Sequence, residues 1–116
     1  MTWTVSASGT LTADGSEDVL TTDTTNGTYV LVVDLSNLLA GSSGVAAQVV
    51  ELRCYSICLA AGASVLMWKG TYQGGNVYTV LVESPFVASD ISCKVTLKQT
   101  VQGTSYSAFP WKLLRQ

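Results

Sequence analysis

The chain has no histidine, only three cysteines and two prolines, and few charged residues. Without histidine, the commonest general base and a principal metal ligand are gone. A Ser-His-Asp or Cys-His catalytic arrangement therefore cannot be built within one chain. No cofactor or metal is expected, and the chain does not read as an enzyme. Charged residues make up 12%, about half the usual ~25%. Ser, Thr and Gly fill the balance, at 47% hydrophobic content, which argues against disorder. The few Lys and Arg residues are scattered, so no nucleic-acid patch is expected. No run reaches the length of a transmembrane helix, so no membrane partner is expected. The opening MTWTVSASGT has neither a basic n-region nor an apolar h-region, and is not read as a signal peptide. Asn26-Gly27-Thr28 fits the glycosylation pattern, but without such a signal it reads as a turn.

The charges that exist are unevenly placed. Residues 1–52 hold six acids and no base, while residues 53–116 hold six bases and two acids. If the halves do not mix on the surface, that asymmetry suits contact between identical copies. The cysteines are Cys54, Cys58 and Cys93. Cys54 and Cys58 on one strand would share a face about 13 Å apart, too far to bond each other. Cys93 could reach either across adjacent strands. Three buried thiols made in a reducing cytoplasm is the preferred reading.

Nearly everything present follows a period of two. Trp3, Val5 and Ala7 alternate with Thr and Ser. Strands are expected over 19–22, 29–35, 49–60, 65–73, 77–83 and 92–99, and a last one around Phe109, Trp111 and Leu113. Pro110 suggests that the last strand lies at an edge. The 92–99 segment alternates most cleanly, with Cys93, Val95 and Leu97 inward and Lys94, Thr96 and Lys98 outward. The 36–46 stretch is the longest loop, with room for one helical turn, and 84–90 is a crossing loop. These signals predict a single all-β domain over residues 1–116, an antiparallel β-sandwich or jelly roll of about eight strands.

Three of the strands look apolar on both faces. Val30, Val32, Tyr55, Ile57, Val65 and Met67 lie opposite residues that already read as core. Either the 36–46 loop covers them or a partner chain does, since monomers rarely expose apolar patches above a few hundred Å². These six are the expected subunit contact of a homo-oligomer. Two other sites are weaker. Asp14, Glu17 and Asp18 in the 12–19 loop could hold Ca²⁺, though the spacing matches no EF-hand. Tyr72 and Tyr106, near turns, could stack on sugar rings, whereas Trp3, Trp68 and Trp111 fall in the inward phase.

Several stretches carry a resemblance. SASGTLTA (6–13), TTNGTYVLVVDLSNLLAG (24–41), VELR (50–53), TLKQT (96–100) and GTSYSAFPWKLLR (103–115) occur in the order seen in a family of small tailed-bacteriophage proteins, which the chain resembles over most of its length. It departs at 42–49, longer than the family's short turn, and around 101–109, where the family often has a basic position. The resemblance implies a virion protein made in many copies. It is expected first to decorate or cement the capsid through contacts with itself and the major capsid protein. The alternative is a carbohydrate-binding or adhesin-like module of a tail or head fibre. No catalytic or binding residues transfer.

Overall fold

The computed structural model describes residues 2–57, 62–75, 81–102 and 105–116. Among them run nine strands: β1 (Thr4–Thr12), β2 (Asp18–Asp23), β3 (Gly27–Asp34), β4 (Val49–Ile57), β5 (Val65–Gln73), β6 (Leu81–Glu83), β7 (Val87–Ser89), β8 (Ser92–Val101) and β9 (Ala108–Arg115). They form two antiparallel sheets. The first has the order β1-β9-β3-β6, with β7 also on β3, and the second has the order β2-β8-β4-β5. The pairing joins first strand to last, second to next-to-last, and so inward to the β4–β5 hairpin. β6 and β7 lie on opposite ends of β3, against Val32–Asp34 and Gly27–Tyr29. Together they take the place of one strand, and eight positions wound in this order make a jelly roll. The all-β sandwich predicted by the period of two is the fold observed.

The inner faces meet in one core. Tyr29, Leu31 and Val33 of β3 and Phe109 and Leu113 of β9 face Val50, Leu52 and Cys54 of β4 and Cys93, Val95 and Leu97 of β8. Each large side chain taken out of water contributes about 1.5–3 kcal/mol, so the four central strands dominate stability. Trp68, Tyr72 and Trp111 pack on this core from its margins.

Two bulges change the expected phase of side chains. In β1 the register slips between Val5 and Ala7, because Ser6 is an extra residue. Ser6 turns inward and donates to the Asp23 carboxylate. That carboxylate also accepts the Thr25 N–H at 2.7 Å and faces Arg115 at 3.9 Å. Ala7 keeps the inward phase, opposite Leu113, but Val5 is thrown outward. In the second sheet a slip after Cys54 pairs Tyr55 with Leu66 and leaves Met67 as the extra residue.

Other differences are local. The 84–90 segment contains β7, not only a crossing loop. The 36–46 loop makes a turn closed by Leu38 N–H to Leu35 C=O at 2.9 Å, without a helix. β9 is an inner strand, not an edge. Pro110 is tolerated because the ladder to β3 begins one residue later, at Val33–Trp111. The expected strand portions over 58–60 and 77–80, with Cys58 among them, lie outside the described residues.

A buried polar hub fastens the end where β3 runs to β4 and β8 to β9. Gln48, 1% exposed, is surrounded. Its Oε1 accepts from the Leu39 N–H at 2.8 Å and the Ser107 hydroxyl at 2.9 Å. Its Nε2 donates to the carbonyls of Gln102 at 2.9 Å and Ser105 at 2.8 Å. Gln99, equally buried, accepts the Ser107 N–H at 3.0 Å. The 36–46 loop is thus tied down at one end of the sandwich. A Cβ on Gly74 would come within 2.1 Å of the Leu39 carbonyl oxygen, so this approach needs glycine.

Candidate interaction surface

The outer face of the first sheet follows from the register. One row across β6, β3 and β9 reads Glu83, Val32, Lys112. Two residues along, Leu81, Asp34 and Pro110 line the same shallow groove of about 410 Å³, with Val5 and Trp111 also on its wall. Beyond the other end stands Phe86, tilted against Trp3 with ring centroids 5.4 Å apart. Phe86 is 75% exposed, Leu81 62% and Val5 56%. A band of large apolar side chains therefore faces solvent around a charged middle.

The six residues expected to form one contact do not share a face. Val30 and Val32 belong to the outer phase of the first sheet, but they are buried. Val32 sits low between the longer Glu83 and Lys112. Tyr55 and Ile57 lie on β4 and Val65 and Met67 on β5, in the second sheet. Val65, Leu66 and Met67 are each about half exposed at one end of β5, which is an edge strand. The residues that sequence reasoning missed are Val5, Leu81 and Phe86. Leu81 was legible as the outward partner of Val82. Phe86 was legible as an aromatic in a polar loop after Pro85. Val5 was hidden by the Ser6 bulge.

Tyr55 is not an apolar cover residue. Its hydroxyl donates to Glu17 at 2.6 Å, and the Lys94 ammonium stands 4.5 Å over its ring. Arg53 bridges Glu17 and Glu51, both at 2.9 Å. The Thr96 hydroxyl donates to Glu17 at 2.9 Å, which explains why an outward threonine is buried. The Tyr55 and Thr96 hydroxyls with the Arg53 and Lys94 charges hold the Glu17 carboxyl below its usual range, against the opposing effect of burial. A carboxylate with a lowered folded pKa stabilises above its unfolded value, and that gain is lost as pH falls through the folded value. Glu17→Gln is therefore expected to cost about 1 kcal/mol at neutral pH, discounted for partial exposure. The difference from the unsubstituted chain should shrink in urea titrations at about pH 3. An equal cost at both pH values would contradict this.

This arrangement also takes Glu17 away from the other two acids of its loop. Asp14 instead accepts from Ser16 N–H and Oγ at 3.0 and 2.7 Å, and Ser16 Oγ also reaches Asp18 at 3.2 Å. Among the described residues, no three His, Cys, Asp or Glu side chains are placed to hold a metal ion. Tyr72 packs on the core and presents no stacking platform. Tyr106 is exposed, beside a polar groove of about 430 Å³ that includes Gly15, Gln99 and Gln102. Cys54 and Cys93 are free thiols, both buried. Burial pushes Cys54 up to about 11 and Cys93 to about 12.

Compared with known proteins, the chain matches no family model, no curated protein and no solved structure. Among the described residues no helix is long and apolar enough to cross a membrane.

Proposed function

We propose that the chain is a structural subunit of a tailed-bacteriophage virion, a decoration or cement protein that binds the assembled capsid through its own copies and the major capsid protein. The observation that carries this reading is the exposed apolar band of Val5, Leu81 and Phe86 on the outer face of the first sheet. Several large apolar side chains left exposed on one face of a small domain favour a protein contact. The sequence resemblance points to the virion. The jelly roll is compatible with it, since that architecture serves both capsid and lectin domains, and does not by itself decide between them. A part that binds only the assembled shell stabilises it by mass action and needs no chemistry of its own.

Quantitative mass spectrometry of purified virions tests this reading. The chain is expected in hundreds of copies, at a fixed ratio to the major capsid protein. Its absence would overturn the proposal. The exposed Tyr106 beside its polar groove favours a second reading, a glycan-binding module of a tail or head fibre. A handful of copies per virion, with glycan binding lost in Tyr106→Ala, would establish that reading instead.

A further inference from the structure

We propose that the outer face of the first sheet receives a second copy of this chain, about a two-fold axis parallel to the strands and passing over Val32. This deepens the structural-subunit reading by naming the partner of that face, and it rests on that reading.

The row Glu83, Val32, Lys112 sets an acid and a base on either side of an apolar centre. Strands lie about 4.8 Å apart, so the acid and the base flank Val32 symmetrically at about the same distance. Among the described residues neither Glu83 nor Lys112 belongs to an ion pair. Turning a second copy about the proposed axis exchanges left for right. Lys112 of each copy then faces Glu83 of the other, and both charges are matched twice. The same operation sets Leu81, on β6, against Pro110 of the second copy, on β9, so apolar meets apolar. Only Asp34, on the central strand, meets its own image. It already accepts the Ser36 N–H at 2.9 Å, and it lies diagonally beside Lys112, which offsets the repulsion.

An axis over β3 sets β9, β3 and the β6–β7 side against their images and leaves β1 outside the overlap. Three strands and about seven residues along each make a face of roughly 14 by 23 Å. Two such faces cover roughly 650 Å² in projection, the scale of a weak, reversible contact rather than a permanent one. Phe86, braced by Trp3, supplies an aromatic anchor at the rim of this face. The symmetry also explains why acid, base and apolar groups alternate on one face. An isologous contact requires a surface that complements itself.

The test is a charge swap read by native mass spectrometry of the full chain. The unsubstituted chain is expected as a dimer. Lys112→Glu and Glu83→Lys each oppose like charges twice, and each should dimerise at least tenfold more weakly. Both residues are strand positions with exposed side chains, so unchanged circular dichroism should show that both variants fold. Mixed in equal parts, the two variants should restore a one-to-one dimer, and the double variant should dimerise alone. Dimers of the single variants as tight as the original would overturn the proposal, as would a chain that stays monomeric at hundreds of micromolar. So would a dimer that persists through the swaps but is lost in Val65→Lys with Met67→Lys, which would assign the contact to the β5 edge. None of these results decides whether the chain is a virion part, which is tested separately by its copy number in purified virions.

Discussion

Gln48→Leu is expected to destabilise the fold by about 3 kcal/mol or more. Leucine fills nearly the same volume, so the loss is one of hydrogen bonds rather than of packing. The Leu39 N–H, the Ser107 hydroxyl and the carbonyls of Gln102 and Ser105 would all lose their partner at once. A buried polar group left without a partner costs about 1–3 kcal/mol. Water entering from the nearby loops recovers part of the total for four groups. In a domain of this size 3 kcal/mol lowers Tm by roughly 12 °C. The 36–46 loop and the segment around 105–107 should exchange amide protons faster, because the hub is what joins them. Equilibrium urea unfolding measures the free energy. A change below 1 kcal/mol would mean that the hub is not what holds these connections.

The second large effect is expected in alkali. Cys54 and Cys93 have an ordinary thiol value of 9.0, and burial raises them to about 11 and 12 in the fold. Burial, with the Asp23 charge, likewise lifts Tyr29 from 10.0 to about 12. A raised folded pKa gives stability that is whole below the unfolded value and lost as pH climbs toward the folded one. Above about pH 9 the unfolded chain releases protons that the folded chain keeps. Each thiol then contributes a slope of up to roughly 1 kcal/mol per pH unit. Stability should fall steeply from pH 9 to 11, and Cys54→Ala with Cys93→Ala should flatten that fall while lowering stability at pH 7. A profile that is equally steep in the double variant would contradict the assignment. The same burial predicts that a thiol reagent reaches neither cysteine until the chain unfolds.

The sequence carried the architecture more fully than the surfaces. Alternation along 92–99 placed Cys93, Val95 and Leu97 in the core, where they are, because the ladder to β4 stays in register until the slip beyond Gln99. The edge strands β1 and β5 slip within their length. One extra residue at Ser6 reversed the direction of Val5, and another at Met67 put Leu66 beside Tyr55. Neither bulge has a sequence mark such as glycine. Tyr55 read as apolar cover because its partners, Glu17 and Lys94, are distant in sequence. Gln48 had no periodic signal, since its role depends on two loops meeting. Pro110 suggested an edge, yet β9 is interior. The proline rule applies to the local ladder, and that ladder starts at Trp111.

Adding the purified chain to undecorated capsids of the phage proposed to carry it, then measuring the temperature at which they break open, tests most directly whether this is an assembly part. The chain should pellet with intact shells and raise their rupture temperature, saturating at a fixed number of copies, since binding the assembled state alone stabilises it. Shells that bind no chain and rupture at an unchanged temperature would contradict that reading.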